Sequence, residues 1–312
     1  MREHFPFLSQ VAPHCPQALL TQARGRPAPR VALVNAGSVT ALTGLRDAVD
    51  AGLAQPILIG DSARIRDAAQ RIGWDISAFR LVHAPRHEAA PEAVRLVHAG
   101  EADAIMKGQV HTSTFLKALL PAAAGLREPK MICAHVFHIT TPASDRPLLL
   151  TDAALNVTPN VATRQASLAH AVRLAGILDI PHPRAGILAP SEDPTPSVPN
   201  TMEAATIAAW AKSALPQAIV EGPMALDLIF SAEAAMTKNY RSDVAGDADI
   251  VLVPEITTGN ALFKLMVLGM GCCAGGLLMG LKVPVLLTSR SQGSAARIAS
   301  AALGAIVAGA GA

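Results

Sequence analysis

From Arg30 onward, short apolar segments alternate with stretches of helical pattern. The apolar runs at 31–34 and 57–59 each end at turn residues and lead into an amphipathic segment, and the second of these segments stops at Gly73. Strands that alternate with helices at this spacing form parallel sheets with helices on both faces. The sequence therefore predicts an α/β fold, in one large domain or two smaller ones.

The composition narrows the classes of function. Of the 312 residues, 51% are hydrophobic and 16% are charged, which fits a compact enzyme rather than a disordered chain. A net charge of +2 and an aromatic content of 3% argue against nucleic acid as a partner, because such binding needs a basic surface and stacking side chains. The four cysteines, at 15, 133, 272 and 273, lack metal-site spacing and are expected to be buried and reduced.

Neither an export signal nor a membrane span is expected from the pattern of apolar residues. The N-terminal segment is broken by Pro6, Pro13 and Pro16 before any signal-peptide core. The apolar stretch 262–281 is interrupted by Lys264 and several glycines, so we expect a glycine-rich helix that packs against a partner rather than one that crosses a bilayer. We expect a cytoplasmic protein with no membrane partner.

The last predicted strand, 283–287, ends at polar residues that begin the final helix. These residues are Thr288, Ser289, Arg290 and Ser291. The first turn of a helix offers unpaired backbone N–H groups and a partial positive charge to an anion. Hydroxyl groups and a guanidinium at such a turn predict a site for phosphate or carboxylate, and we place the chemistry there.

Two other strands are expected to end at ligand-binding residues. The strand at 250–253 leads to Gly259 and Asn260, which are expected to open a helix that carries Lys264. A strand also ends at Lys107, and open α/β sheets bind their ligands at the carboxyl ends of parallel strands. These residues are candidates for binding a substrate.

The centre of the chain alternates like an antiparallel hairpin, with two strands around a turn at 142–146. Asp152 and Asn156 follow the second of these strands. Both side chains are therefore expected at the end of a strand, where they can contribute to a site.

No metal site is predicted. His135 and His138 lie in one strand, but a separation of three residues puts them on opposite faces. Asp243 and Asp247 have the spacing of one helix face, but Gly246 between them favours a loop.

Several of these segments together resemble the phosphate acyltransferases, the family of phosphate acetyltransferase and phosphate butyryltransferase. The resemblance runs from about residue 30 to the C-terminus, is specific in the order and spacing of its motifs, and is closer to the butyryl branch. In chain order the motifs are Met106-Lys107-Gly108, Leu150-Thr151-Asp152-Ala153-Ala154 with Asn156, Glu221-Gly222-Pro223 with Asp227, residues 248–254, Gly259-Asn260 with Lys264, and residues 284–290.

The resemblance implies both a fold and a reaction. Members of the family have two α/β domains with the active-site cleft between them, similar to the isocitrate/isopropylmalate dehydrogenase-like fold, and usually form homodimers. For this chain it implies a first domain of residues 1–140 plus 285–312 and an inserted second domain of residues 141–284. The enzymes move a short acyl group, acetyl to butyryl, reversibly between coenzyme A and inorganic phosphate. Acyl-CoA and phosphate are thus the expected partners, with coenzyme A a substrate rather than a permanent cofactor.

The resemblance also suggests roles for individual residues. Ser289 would hydrogen-bond the reacting sulfur and Arg290 would hold phosphate, with Asp152 as a third catalytic candidate. The candidates for binding coenzyme A are Lys107, Asn156, Gly259, Asn260, Lys264 and Ser291.

This chain departs from the family at the expected general base. The acetyl branch has an aspartate seven residues after the serine, where this chain has Ala296, and the butyryl branch can have a glutamate one residue earlier, where it has Ala295. A general base contributes ~10² to 10⁴ in rate, but phosphate is largely a dianion near neutral pH and attacks a thioester without one. Either positioning and Arg290 suffice, or another acid assists. The candidates for that acid are Asp152, Asp227 and Glu255.

Two alternatives stay open at this point. The loss of the acid fits a relative that binds coenzyme A or phosphate without turnover. A metal- and nicotinamide-dependent decarboxylating dehydrogenase is the other, but Tyr240 is the single tyrosine and no G-x-G-x-x-G follows the first strand. The acyl chain length also stays open, because the apolar residues of 224–230 fit a protein core as well as an acyl pocket.

Overall fold

The structure is a computed structural model that describes residues 5–127, 129–287 and 293–311. It confirms the mixed α/β fold. The chain divides into two compact units, and each consists of two chain segments. We call residues 13–133 with 273–312 the first unit and residues 1–12 with 134–272 the second unit. The domain boundaries expected at 140 and 284 stay a prediction.

The secondary structure follows the alternation in the sequence. The strands are β1 (Arg30–Val34), β2 (Gln55–Gly60), β3 (Arg80–His83), β4 (Ala104–Lys107), β5 (Ala134–Thr141), β6 (Ser144–Thr151), β7 (Arg184–Leu188), β8 (Ile219–Met224), β9 (Ile250–Leu252), β10 (Cys273–Met279) and β11 (Val285–Leu286). The helices are α1 (Gln17–Arg24), α2 (Val39–Asp50), α3 (Ser62–Arg71), α4 (Ala89–His98), α5 (Thr112–Leu119), α6 (Val161–Ile177), α7 (Pro199–Ala214), α8 (Leu226–Phe230), α9 (Ala232–Thr237), α10 (Ile256–Lys264) and α11 (Ser294–Gly309).

The strands of the first unit have the order β3-β2-β1-β4-β11-β10. All neighbours in this order are parallel except β10 and β11, which are antiparallel. The central strands β1 and β4 are almost wholly apolar and buried, as expected for strands covered on both faces. Their carboxyl ends, at Val34 and Lys107, are adjacent, since these two residues are paired.

The strands of the second unit have the order β5-β6-β9-β7-β8. The hairpin predicted for the centre of the chain is confirmed, because β5 and β6 pair antiparallel, and the remaining neighbours are parallel. Thr151 is the last residue of β6 and is paired with Leu252, the last residue of β9. The loops that carry Asp152 and Glu255 therefore start from neighbouring strand ends.

Two expectations for residues 256–281 are wrong. Gly259 and Asn260 do not open a helix, because α10 begins at Ile256 with Glu255 as its N-cap. The glycine-rich stretch is not a helix either: after a π-helical turn at Leu265–Gly269, it forms the buried strand β10. A short, wholly apolar segment has no periodicity that separates a buried strand from a buried helix.

Helix α11 lies directly against β10. A Cβ atom on Gly275 would come within 2.8 Å of the Leu303 side chain and 2.9 Å of the Ala299 backbone. The Ser300 hydroxyl accepts a hydrogen bond of 3.0 Å from the backbone N–H of Gly276. The glycines of β10 thus allow a close approach of helix and strand. Among the described residues, no helix combines the length and apolar character needed to cross a bilayer.

Candidate active site

A cavity of about 320 Å³ opens in the first unit where β1 and β4 end. Its polar lining comes from Ser38, Thr40, Arg86, Lys107, Gln109, His111 and Arg297. None of the described residues that line it carries a carboxylate. The arrangement suits an anion, because three positive side chains face one space at the carboxyl edge of a parallel sheet.

Two backbone features hold this cavity open. A Cβ atom on Gly108 would lie 2.3 Å from the carbonyl oxygen of Val34, so only glycine lets the chain leave β4 this close to the end of β1. Asn35, in a left-handed conformation with φ 55°, donates its side-chain amide to the Arg86 carbonyl at 3.0 Å. Gly108 thereby fixes the backbone next to Lys107, and Asn35 fixes the backbone of Arg86.

In the second unit, Asp152 is buried, with an exposed fraction of 4%. Its Oδ1 accepts hydrogen bonds from the backbone N–H groups of Ala154 (3.0 Å) and Leu155 (2.9 Å). Its Oδ2 accepts from the backbone of His135 (3.2 Å) and from both the backbone (3.3 Å) and the side-chain amide (2.7 Å) of Asn156. The carboxylate thus holds the loop after β6 in place and orients Asn156.

Asn156, Gly259 and Asn260 are brought together with Asp152 around the same loop. A Cβ atom on Gly259 would come within 2.8 Å of the Ala153 side chain, so α10 packs closely on the loop that Asp152 holds. The Asn260 side-chain amide lies 3.5 Å from the Ala153 carbonyl oxygen. Lys264 lies one helical turn after Asn260 and is exposed. Both residues line an open depression of about 470 Å³.

The other two candidate acids are also engaged in local contacts. Glu255 caps α10 by accepting from the backbone N–H groups of Thr257 (2.6 Å) and Thr258 (2.7 Å). Partial burial raises the pKa of Glu255, but the hydrogen bonds from the two threonines outweigh it and lower that pKa to about 2. Asp227 is exposed and lies 3.2 Å from the Lys238 ammonium, whose hydrogen bond lowers the pKa of Asp227.

Ser289, Arg290 and Ser291 lie outside the described residues, so their predicted roles have no structural counterpart here. The helix that follows them, α11, carries Ala295 and the buried Ala296 in its first turn. Helix α11 contains no acidic residue, and its one charged side chain is Arg297.

The candidate metal ligands described here have other partners or are buried. Asp247 forms ion pairs with Arg146, at 2.5 Å, and with Arg184. His135 and His138 are both buried, and burial lowers the pKa of each to about 4. Within the ranges that the structure describes, no three His, Cys, Asp or Glu side chains are grouped to hold a metal ion.

Two of the cavity's cations, Arg86 and Arg297, are not among the residues predicted from the sequence. Arg86 follows β3 by three residues, so the rule that singled out Lys107, a cation just after a strand, also applies to it. Arg297 gives no such signal because it lies within a helix, and only the three-dimensional structure brings it to the end of β4.

Comparison with known proteins identifies the family. Residues 86–305 match the model of the phosphate acetyl/butaryl transferase family, and the chain belongs to this family. It is 36% identical over 293 residues to the phosphate butyryltransferase of Clostridium acetobutylicum, covering 93% of this chain and 97% of that protein. It is 35% identical to a phosphate acetyltransferase of Rhizobium meliloti, with coverages of 93% and 92%.

A solved structure agrees with this assignment. The branched-chain phosphotransacylase from Enterococcus faecalis V583 superposes with a TM-score of 0.78 at 30% sequence identity. The match covers 89% of this chain and 98% of that chain. The resemblance found from motifs in the sequence is therefore confirmed for the family, and the mixed α/β fold agrees with that of a phosphotransacylase.

Proposed function

We propose that this protein transfers a short-chain acyl group between coenzyme A and inorganic phosphate, giving acyl phosphate and free coenzyme A reversibly. The near end-to-end similarity to phosphate butyryltransferase carries the proposal. The cavity with Lys107, Arg86 and Arg297, whose described lining residues include no carboxylate, supports it, because one substrate is phosphate and the other carries phosphate groups. The proposal includes two α/β domains of the isocitrate/isopropylmalate dehydrogenase-like fold with the active-site cleft between them, a homodimer or higher homo-oligomer, and a cytoplasmic location.

The reaction needs little acid–base chemistry in the direction of acyl phosphate. A phosphate oxygen attacks the thioester carbonyl carbon, the tetrahedral intermediate collapses, and the carbon–sulfur bond breaks to release the thiolate of coenzyme A. A phosphate dianion is already deprotonated, and a thiolate with a pKa of ~8.5 is a tolerable leaving group. In reverse, the thiol must ionise before it attacks the acyl phosphate.

We place Arg290 on the phosphate and Ser289 on the reacting sulfur, with Ser291 beside them. These roles follow from the family resemblance. Asn156, Gly259, Asn260 and Lys264 form the proposed substrate-binding part of the second unit, since the first three pack around one loop and Lys264 follows on the same helix. Lys107 belongs to the proposed anion site of the first unit.

Asp152 enters the proposal as a positioning residue. Its two oxygens accept five hydrogen bonds from four residues, which leave little room for a substrate thiol. Glu255 and Asp227 have structural partners of their own. The proposed enzyme therefore relies on positioning and positive charge rather than on a dedicated base.

The absence of an acid from α11 favours a second candidate function. A relative that kept its anion-binding residues and lost the family's general base would bind coenzyme A or phosphate without turnover. The two candidates differ in one observable, which is the phosphate-dependent breakdown of a thioester.

The test is thiol release from acetyl-, propionyl- and butyryl-CoA, followed with a disulfide reagent, with and without phosphate. We expect phosphate-dependent release by the wild type and its collapse in Arg290→Ala. Arg71→Met serves as a control, because Arg71 is an exposed arginine paired with Asp67 on α3. If the wild type binds coenzyme A but releases no thiol from any thioester, the binding function replaces the enzymatic one.

A further inference from the structure

We propose that Arg297 is a substrate-binding residue that contacts a phosphoryl anion in the cavity of the first unit. In this proposal, Gly44 of α2 lets the arginine reach the cavity, and Asp47 of the same helix positions it. The identity of the anion rests on the proposed function: it is either a phosphate group of coenzyme A or inorganic phosphate.

The Arg297 side chain crosses α2 at Gly44. A Cβ atom at this position would lie 2.7 Å from Cδ and 3.1 Å from Nε of Arg297, so the arginine occupies the space that any other side chain would fill. Gly44 lies in the interior of α2, where glycine is less favourable than alanine. The helix thus carries a residue that is locally unfavourable where the arginine passes.

Asp47, one turn further along α2, contacts two residues of α11. Its Oδ2 accepts a hydrogen bond of 2.6 Å from the Ser294 hydroxyl and lies 3.4 Å from an Nη atom of Arg297. The Asp47 and Arg297 side chains each retain an exposed fraction of 18%. Asp47 therefore fixes the first turn of α11 and steers the guanidinium, which still lines the cavity.

The chemistry of the cavity selects a phosphoryl group. Arg297 joins Arg86 and Lys107 around a space whose described lining residues include no carboxylate, and Ser38 and Thr40 add hydroxyl groups. Asp47, which contacts Arg297, lies outside this lining. A guanidinium donates two parallel hydrogen bonds to phosphate oxygens, and such charge-assisted bonds are the strong ones. A doubly charged phosphoryl group fits this set of side chains better than a neutral acyl chain does.

The composition of α11 also favours a role in binding an anion. Its first turn has Ala295 and Ala296, and the next residue, Arg297, is the one charged residue of the helix. The helix thus supplies a positive charge to the neighbourhood of the proposed site instead of a negative one. We infer that α11 contributes to binding the substrate rather than to removing a proton.

The first experiment compares Arg297→Met and Arg297→Lys with the wild type, using butyryl-CoA, its 3′-dephospho analogue and inorganic phosphate as varied substrates. Loss of a charge-assisted hydrogen bond is worth about 1.5 kcal/mol or more, so we expect Arg297→Met to raise one KM about tenfold. We expect kcat to change less and Arg297→Lys to restore part of the affinity. Arg71→Met, with the same change of charge in the same unit, is expected to leave both KM values unchanged.

The substrate whose KM rises identifies the source of the anion. A rise for phosphate alone assigns the cavity to inorganic phosphate. A rise for butyryl-CoA that disappears with the dephospho analogue assigns it to the 3′-phosphate, and a rise with both thioesters assigns it to the pyrophosphate. No rise in any KM, or only a lower melting temperature, would mean that Arg297 is structural and would overturn the proposal.

A second variant tests the route of the arginine without removing its charge. Gly44→Ala displaces a flexible side chain and suits a helix interior, so we expect it to fold and to raise the same KM as Arg297→Met. The double variant Gly44→Ala/Arg297→Met should be no worse than Arg297→Met alone, because the alanine then has no arginine to displace. Independent, additive effects of the two changes would contradict the proposed route.

Direct binding separates this proposal from the proposed function. If the wild type turns over no thioester, the affinities of wild type, Arg297→Met and Gly44→Ala for coenzyme A and for phosphate are measured by calorimetry. Weaker binding by both variants would support the role of Arg297 in a protein that is not an enzyme. Equal binding by all three, or no binding of either ligand by the wild type, would overturn it.

Discussion

Charged residues near the proposed site are used differently in the two units of the molecule. In the first unit, Lys107, Arg86 and Arg297 line an open cavity. In the second unit, the carboxylates of Asp152 and Glu255 accept hydrogen bonds from their own loop and helix. The cations line a space that a ligand can enter, although Arg297 also contacts Asp47, whereas Asp152 and Glu255 are hydrogen-bonded within their own loop and helix.

This contrast explains how the chain can serve anionic substrates without a dedicated base. A carboxylate that faced the cavity would repel a phosphoryl group. A carboxylate whose oxygens accept hydrogen bonds from backbone N–H groups instead interacts with its own loop or helix. The acids then contribute by ordering the loops that carry Asn156 and the start of α10. Three variants test whether the two roles are as separate as the geometry indicates.

The largest loss of stability is expected for Asp152→Ala. This change removes the acceptor for backbone N–H groups of His135, Ala154, Leu155 and Asn156, at a position that is 4% exposed. Removing one partner from a buried charged interaction costs about 3–5 kcal/mol, so we expect the free energy of unfolding to fall by that amount. Urea denaturation measures it. The positioning role would be contradicted if Asp152→Asn kept wild-type stability but lowered kcat a thousandfold, because Asp152 would then transfer a proton.

A smaller effect is expected for Lys107→Met, on the cationic side of the comparison. Removing one of three positive groups from the cavity should raise the KM of a phosphorylated substrate about tenfold, with little change in stability, because Lys107 ends β4 and is only partly buried. Steady-state kinetics and thermal melting measure the two quantities. Lys212→Met, at an exposed lysine of α7, is the control. A loss of stability with unchanged KM would place Lys107 with the structural residues.

The smallest effect is expected for Glu255→Ala. Loss of an N-cap costs ~1 kcal/mol, so α10 and the free energy of unfolding should weaken by about that amount at pH 7. Since folding lowers the pKa of Glu255 to about 2 from 4.5, its contribution is complete above pH 4.5 and is lost as the pH falls towards 2. Urea midpoints of wild type and variant should therefore converge between pH 4.5 and pH 2. A constant difference across that range would show that Glu255 acts through packing rather than charge.

Much of the fold follows from local pattern, and the exceptions have physical causes. The βα alternation and the β5–β6 hairpin depend on neighbours in sequence, which a pattern records. Strand β10 is not predicted from the sequence. Its glycines allow the close approach of α11, and this contact between residues distant in sequence is not visible in the composition. The start of α10 was misplaced because Glu255 caps it, although glutamate is not among the favoured N-cap residues.

In the candidate site, the residues at strand ends can be predicted from the sequence, and those placed by distant contacts cannot. The sequence points to Lys107 because it ends a strand, and to Asn156 because it follows one. Arg297 could not be found, because its place in the cavity depends on Gly44 and Asp47, which lie about 250 residues away in sequence. The bonding of Asp152 was equally hidden, since a pattern shows that an acid follows a strand but not how many donors reach it.

The discontinuity of the first unit has a consequence for synthesis on the ribosome. Residues 134–272 emerge before residues 273–312, yet β11, which pairs with β4, and α11, which carries Arg297, belong to the later segment. Until that segment emerges, the nascent chain carries β4 without its β11 partner, and such an unpaired edge favours association with other chains. A chain that stops short of residue 273 would therefore lose Arg297 from the cavity and expose a strand edge prone to aggregation at the same time.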